Sequence, residues 1–162
     1  MDNAINKVVD KVVHRVSVRN LVEFILRSGD INLGGYISNQ VMHEGTRIHR
    51  KLQKEAGDDY KAEVRLLTTR EYDDYILEVG GIADGIITTE EGITIDEIKT
   101  VSVPLEYIND DFNPMHWAQA KCYAYIHAAQ SEIDEISVRL TYFNTENKKK
   151  KYIIKEYSYC EL

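Results

Sequence analysis

Residues 81–100 read GIADGIITTEEGITIDEIKT and predict a β-hairpin. Two runs of β-prone residues are interrupted by TEEG at 89–92, a composition typical of a turn. A turn centred on this segment places Asp84 directly opposite Glu97. Because successive side chains of a strand point to opposite faces, Lys99 then shares the face of Glu97. A one-residue change in the turn would put the two carboxylates on opposite faces.

The three charged residues of this hairpin suit a hydrolytic metal site. Opposed residues on paired strands have Cβ atoms about 5 Å apart, so the carboxylates of Asp84 and Glu97 could share one divalent cation. Carboxylate oxygens favour Mg²⁺ or Mn²⁺, and a lysine beside a metal-bound water can stabilise the charge that develops during phosphodiester hydrolysis. The alternative is an exposed salt bridge worth less than about 1 kcal/mol. Gly80, Gly81 and Ala83 favour the site, since small residues allow a backbone or ligand to approach closely.

The composition is that of an ordinary globular chain. Its 162 residues are 43% hydrophobic and 29% charged, which fits a single domain spanning 1–162. The apolar runs are far shorter than the roughly 20 residues that cross a bilayer, and the opening segment lacks a signal-peptide pattern. We therefore expect a cytoplasmic protein with no membrane partner. Cys122 and Cys160 are too few for a disulfide framework, and we expect a buried free thiol at Cys122.

The net charge of −7 argues against a protein that coats nucleic acid through bulk positive charge. It does not exclude a nuclease, because a metal site requires carboxylates. Two basic segments remain, one within 47–54 and one at 148–151. For the lysine run at 148–151, we favour a solvated hairpin tip over a DNA contact.

The periodicity of apolar residues predicts a mixed sheet with helices packed against it. Helical spacing covers roughly 4–27, including a short helix from Val18 to Leu26 capped by Ser17, and predicts a helical extension over 1–35. Further helices are expected at 39–56 and, opened by Asn113 and Pro114, at 114–130. Alternating β-rich residues predict strands at 62–69, 74–88, 93–100, 136–143 and 151–158. The apolar stripe of the last helix is predicted to comprise Trp117, Ala118, Cys122, Tyr125, Ile126 and Ala129.

Four motifs together resemble the PD-(D/E)xK nuclease superfamily, in its RecB-like branch. In chain order they are Gly45-x-x-x-His49, Gly81-Ile82-Ala83-Asp84, Asp96-Glu97-Ile98-Lys99-Thr100 and Gln119-x-x-x-Tyr123. Each motif is weak alone, and the specificity comes from their order across 45–123. The resemblance implies a restriction-endonuclease-like α/β fold, with a mixed central sheet flanked by helices. It also implies the activity of a Mg²⁺- or Mn²⁺-dependent deoxyribonuclease, with DNA as its partner.

The resemblance assigns roles to the residues of the metal site. Asp84 and Glu97 correspond to the metal ligands, and the backbone carbonyl of Ile98 to an additional ligand. His49 corresponds to the histidine that supplements the metal site in this branch. Lys99 corresponds to the catalytic lysine, which acts together with the two carboxylates.

Other implications concern DNA and cofactors. Gln119 and Tyr123, four residues apart on one helix face, correspond to the pair that positions DNA near the site. Glu63 is a candidate acid for a second site. Several members of this branch hold an iron–sulfur cluster through four cysteines. With only Cys122 and Cys160 available, we expect no such cluster here.

Residues 15–31, RVSVRNLVEFILRSGDI, resemble the nuclease-like domains at the N-terminus of bacterial helicases related to the DinG type. That resemblance implies a nuclease that acts with, or is fused to, a helicase in DNA processing or repair. The main alternative is a catalytically idle domain that keeps the nuclease fold and binds DNA or a protein partner. A less favoured alternative is an unrelated metal-dependent phosphoesterase that acts on nucleotides, whose sequence would be expected to show more histidine and aspartate ligands.

Overall fold

The computed structural model describes residues 11–26 and 39–162. These residues form a six-stranded mixed sheet and three α-helices, in the order β1 (Val12–Ser17), α1 (Val18–Ile25), α2 (Asn39–Glu55), β2 (Tyr60–Glu71), β3 (Tyr75–Thr89), β4 (Gly92–Val101), α3 (Pro114–Ser131), β5 (Glu135–Asn144) and β6 (Lys150–Ser158). Short 3-10 helices lie at Leu105–Tyr107 and Tyr159–Glu161. The expected α/β class is confirmed, and this mixed sheet flanked by helices is consistent with a restriction-endonuclease-like fold.

The long strand β3 organises the sheet. One edge of β3 pairs antiparallel with β2 over 76–87. Its other edge is shared by two strands in succession, since β1 pairs parallel with 75–80 and β4 pairs antiparallel with 85–89. Strand β5 lies parallel beside β4, and β6 lies antiparallel beside β5. The segment 81–84 of β3 therefore lies between the ends of two neighbouring ladders.

The register of the β3–β4 hairpin agrees with the sequence prediction. The ladder runs without slippage from Thr89, next to the turn, to the pair formed by Gly85 and Asp96. The next pair in that register, Asp84 and Glu97, lies beyond the end of the ladder. The local turn chemistry was therefore sufficient to predict the register of this hairpin from Thr89 to Gly85.

The prediction for the amino-terminal region was wrong in part. Residues 12–17, expected to be helical, form strand β1, and the expected helix at 4–10 lies outside the described residues. The valines of this segment fit helical spacing and are also β-prone. Parallel pairing with β3 at 75–80 decides between the two, because it satisfies the backbone of a segment too short to be stable as a separate helix.

Two predicted helix starts are confirmed by their caps. Helix α1 begins after Ser17, whose hydroxyl accepts a hydrogen bond from the Asn20 amide at 3.1 Å. Helix α3 begins after Asn113, whose side chain accepts a hydrogen bond from the Met115 amide at 2.9 Å, with Pro114 in the first turn. The other predicted helix and all five predicted strands are confirmed, with ends that move by one or two residues. Within 11–26 and 39–162, no helix is both long and apolar enough to cross a membrane.

Apolar side chains pack on both faces of the sheet. Helix α2 packs Ile48 and Leu52 against Ile98 and Phe143 on one face. Helix α3 covers the other face, and its buried residues are Trp117, Ala120, Tyr123, Ala124, Ile126 and Ala128. The predicted stripe of α3 was therefore partly wrong, and it includes Ala129, which is exposed. Most residues of this helix are apolar or small, so their spacing does not define which side faces the sheet.

Strand β4 also carries a buried carboxylate on the face of the sheet opposite Glu97. The Oδ1 of Asp96, a residue that is 1% exposed, accepts hydrogen bonds from Arg139 Nε at 2.8 Å and Thr141 Oγ1 at 2.5 Å. Its Oδ2 accepts one from the Tyr60 hydroxyl at 3.0 Å. Since three donors satisfy this carboxylate, Asp96 links β4 to its neighbour β5 and, across β3, to β2.

Gly85 allows Tyr60 to reach Asp96, because a Cβ atom at position 85 would overlap the Tyr60 ring. We expect Gly85→Ala to lower the free energy of unfolding, measured by urea denaturation, by about 1–3 kcal/mol, since an added methyl group displaces packed neighbours. Gly45→Ala is the control, because a Cβ there would meet Thr100 Oγ1 only at 4.0 Å. This control should stabilise helix α2 by up to about 1 kcal/mol. Equal losses in both variants would contradict the packing role of Gly85.

Candidate active site

An irregularity in β3 positions the candidate site. The β1 ladder ends at Gly80 and the β4 ladder begins at Gly85, so Asp84 lies just outside the β4 ladder. On the other edge, the β2 ladder skips the position where Glu63 faces Asp84. Glu63 has a φ of 52°, in the left-handed region that L-residues rarely adopt. The backbone of Asp84 is thus irregularly paired on both sides.

Side chains and a backbone amide hold Asp84 in this irregular position. Its Oδ2 accepts a hydrogen bond from the Ile98 amide at 2.8 Å, which joins β3 to β4 beyond the end of their ladder. Its Oδ1 lies 3.2 Å from His49 Nδ1, and its backbone carbonyl accepts a hydrogen bond from Gln53 Nε2 at 2.9 Å. His49 and Gln53 are four residues apart on α2 and therefore lie on one helix face. Helix α2 contacts Asp84 at both its side chain and its backbone.

Glu97 is a buried carboxylate with one unsatisfied oxygen. The residue is 2% exposed, and its Oε1 accepts a hydrogen bond from Lys99 Nζ at 2.8 Å. Its Oε2 is buried and has no hydrogen-bond partner among the described residues. Burial, reinforced by the Asp84 carboxylate and opposed by Lys99, raises the pKa of Glu97 to about 7. A cation near Oε2 would remove this penalty.

Lys99 connects the hairpin to helix α3. Besides its ion pair with Glu97, its Nζ donates a hydrogen bond to Gln119 Oε1 at 3.1 Å. The Lys99 side chain is 21% exposed, so the ammonium group lies at the boundary between the protein and solvent. Gln119 thereby holds the lysine beside the carboxylate. The predicted site residues of the hairpin and of α3 are brought together.

Tyr123 lies deeper than a residue that contacts DNA directly is expected to lie. It is 3% exposed, and a Cβ atom on Gly81 would come within 2.5 Å of its hydroxyl oxygen. Gly81 therefore allows the close approach that its small size predicted. Burial, together with the Glu97 carboxylate, raises the pKa of Tyr123 to about 12, so its hydroxyl remains protonated at neutral pH. The structure places Tyr123 beneath the site, between α3 and β3.

Two residues near the site were missed by sequence reasoning. Gln53 has no motif of its own, although its spacing of four from His49 indicates the same helix face. His116 lies three residues before Gln119, and its Nδ1 is 3.0 Å from the Tyr142 hydroxyl. Burial, with a smaller contribution from Lys99, lowers the pKa of His116 to about 4, so its imidazole is neutral near pH 7.

The donor groups at the site fit a hard divalent cation. Asp84 and Glu97 supply carboxylates, and the Oε2 of Glu97, which has no hydrogen-bond partner in the described part of the chain, is the group that a cation would satisfy. The N–H and C=O of one strand residue point to the same edge, so the Ile98 carbonyl faces Asp84 as its amide does. Within the described parts of the chain, no three His, Cys, Asp or Glu side chains form a metal-binding group by themselves. Water would therefore complete the coordination, as is usual for Mg²⁺.

No family model matches the sequence, and no curated protein sequence matches it. The crystal structure of SSO0001 superposes with a TM-score of 0.57 at 17% identity, covering 86% of this chain and 66% of the other. This chain thus spans just under two thirds of SSO0001, and the similarity establishes a shared fold. A phage-related exonuclease from Haemophilus somnus 129PT gives a TM-score of 0.33 at 13% identity, covering 85% of this chain and 69% of that one. That second similarity is too low to support a conclusion.

The contact between Gln53 and the Asp84 carbonyl can be tested by removing the donor. We expect Gln53→Met to lower the free energy of unfolding by about 1–2 kcal/mol in urea titrations, because a part-buried carbonyl loses its partner. The control is Gln130→Met, since Gln130 Nε2 donates to the Leu67 carbonyl at 2.7 Å in an exposed position. Water replaces that bond, and the cost should stay within about 0.5 kcal/mol. If Gln53→Met lowered the free energy of unfolding no more than Gln130→Met does, Gln53 would not hold the Asp84 backbone in place.

The raised pKa of Glu97 predicts a pH-dependent stability in the presence of EDTA. The folded protein binds this proton more tightly than the unfolded chain, for which the ordinary value is 4.5. The resulting stability is complete below pH 4.5 and is lost as the pH rises through about 7. Glu97→Gln mimics the protonated acid, so it should exceed the wild type in free energy of unfolding by roughly 1–3 kcal/mol at high pH and match it in acid. The exposed control Glu91→Gln should show no such trend, and a wild type more stable than Glu97→Gln at pH 8 would contradict the burial penalty.

Proposed function

We propose that this chain is a Mg²⁺- or Mn²⁺-dependent nuclease domain that hydrolyses phosphodiester bonds of DNA. The observation that supports it most directly is the buried Oε2 of Glu97, which has no hydrogen-bond partner among the described residues and whose carboxylate interacts electrostatically with that of Asp84. Two carboxylates in this arrangement repel each other, and Glu97 is costly to ionise without a cation. A buried carboxylate whose pKa is strongly shifted by burial and by a neighbouring charge is typical of a functional site.

Each residue has a role that follows from its contacts. Asp84 and Glu97 would hold the cation, together with the Ile98 carbonyl, while His49 orients the Asp84 carboxylate. A bound Mg²⁺ or Mn²⁺ would supply a Lewis acid for the phosphate and lower the pKa of an attacking water. Lys99 places a positive charge at the solvent boundary of the site, where negative charge on a phosphate would develop.

Helix α3 supports this chemistry from one side of the site. Gln119 holds the Lys99 ammonium group through its side-chain oxygen. It also forms a side-chain hydrogen bond with Tyr123, and we assign it a role in positioning DNA because it holds Lys99 at the solvent boundary. Tyr123, being buried against Gly81, acts by supporting this helix face rather than by stacking on a base.

Cleavage of end-labelled single-stranded and duplex DNA tests the proposal. We expect cleavage with Mg²⁺ or Mn²⁺ and none in EDTA. Asp84→Asn, Glu97→Gln and Lys99→Met should each reduce the rate by about 100-fold or more, because each removes a group that acts on the reacting phosphate. Glu91→Gln, in the exposed turn of the same hairpin, is the control and should cleave like the wild type. Cleavage at wild-type rate by the three site variants would reject the site.

A catalytically idle domain that binds DNA or a protein is the second candidate. The ion pair between Lys99 and Glu97 favours it, since it neutralises one carboxylate without a metal. Titration calorimetry with Mn²⁺ separates the two candidates. Heat of Mn²⁺ binding that Glu97→Gln abolishes supports the nuclease, whereas DNA binding without any Mn²⁺ signal supports the idle domain.

We also propose that the domain acts with, or is fused to, a helicase in DNA processing or repair. This proposal rests on the resemblance of residues 15–31 and of the overall layout of the chain, and residues 27–31 lie outside the described part of the chain. A helicase would open duplex DNA and deliver a strand to the site.

A further inference from the structure

The outward face of helix α2 is basic. Arg47, Arg50, Lys51 and Lys54 follow the spacing of three and four that places residues on one helix face, and all four are exposed. Ile48 and Leu52 of the same helix point into the core. The helix therefore has a buried face, a face toward Asp84 and this basic face, and its backbone sets the spacing of the four basic residues.

The β5–β6 hairpin places more lysines next to this helix. Lys150 Nζ donates to Glu55 Oε2 at 2.8 Å, which joins the start of β6 to the last residue of α2. Lys148 and Lys149 are exposed in the turn just before it. Residues far apart in sequence are thus brought together on one side of the molecule.

The surface formed by Arg47, Arg50, Lys51, Lys54, Lys148 and Lys149 is called here the α2–hairpin basic surface. It stands out in a chain whose net charge is −7. Glu55, which lies beside it, is already engaged by Lys150 at 2.8 Å and by Lys51 at 3.7 Å. These two lysines lower the pKa of the Glu55 carboxyl, so it stays ionised and keeps both lysines oriented.

We propose that the α2–hairpin basic surface binds the phosphate backbone of DNA and guides a strand toward Asp84. This inference rests on the proposed function and adds the surface that holds the substrate. From residue 47 to residue 54 the helix rises about 10 Å, a length over which a DNA strand presents several phosphates. The same helix contacts Asp84 through His49 and Gln53. A strand bound along the helix is therefore rigidly placed relative to the site.

The test measures DNA binding by the full chain in EDTA. The readout is the fluorescence anisotropy of labelled single-stranded and duplex DNA over a series of salt concentrations. One variant carries Arg47→Gln, Arg50→Gln, Lys51→Gln and Lys54→Gln, since glutamine keeps helix propensity. A second carries Lys148→Gln and Lys149→Gln, and leaves Lys150 and Lys151 with their partners.

The control variant removes the same number of charges from exposed residues of β1, α1 and β2, namely Arg15→Gln, Arg19→Gln, Lys61→Gln and Arg70→Gln. We expect the α2 variant to lose at least about tenfold in affinity and to reduce the salt slope by about three units, because each phosphate contact contributes nearly one. The hairpin variant should show a smaller loss of DNA affinity, and the DNA affinity of the control variant should remain close to that of the wild type.

Two outcomes overturn the inference. They are a wild type that binds neither form of DNA, and an α2 variant that binds no more weakly than the control variant. In the latter case the surface would suit an acidic protein instead. Cleavage with Mn²⁺ is measured in parallel, so the two proposals fail separately. Binding through this surface without cleavage contradicts the hydrolytic function, and cleavage that is insensitive to the α2 substitutions contradicts the guiding surface.

Discussion

A carboxylate that is 2% exposed needs a proton, a cation or hydrogen-bond donors, and within residues 11–26 and 39–162 Glu97 has a donor on only one of its two oxygens. Glu97 cannot shift toward solvent, because its neighbour Asp96 is fixed on the opposite face of β4. Three hydrogen bonds from residues of β2 and β5 hold Asp96 there. The unsatisfied oxygen is thus imposed by the fold. The Lys99 ammonium group offsets part of the free energy needed to bury the charged Glu97 carboxylate. The remaining penalty raises the pKa of Glu97.

The candidate metal site also requires that the Asp84 carboxylate lies close to the Glu97 carboxylate. Regular pairing would hold its backbone in a flat ladder, and the structure avoids this on both edges of β3. The Glu63 backbone adopts a positive φ on one edge, and on the other the Ile98 amide bonds to the Asp84 side chain. Such irregular backbone costs on the order of 1 kcal/mol and persists only where surrounding contacts hold it. Gln53 and His49 provide those contacts from helix α2.

Charge is segregated along one helix. On α2, the face toward Asp84 serves the acidic site, while Arg47, Arg50, Lys51 and Lys54 lie on the outward face. A polyanion would be repelled by the carboxylates and attracted by the basic face, so binding and chemistry need different surfaces joined by a rigid element. This arrangement would reconcile a net charge of −7 with the proposed DNA substrate.

The sequence by itself determined the features that depend on local interactions. The TEEG turn was sufficient to predict the register in which β3 pairs with β4, and the Asn113 cap predicted the start of α3. Only the tertiary structure decided that residues 12–17 are a strand, because that outcome requires the edge of β3. It also decided the burial of Tyr123 and the contact of Gln53 with Asp84, since both depend on how a helix packs on the sheet. Spacing along the chain carries information about neighbours within one element, whereas contacts between elements arise only when the hydrophobic faces have packed.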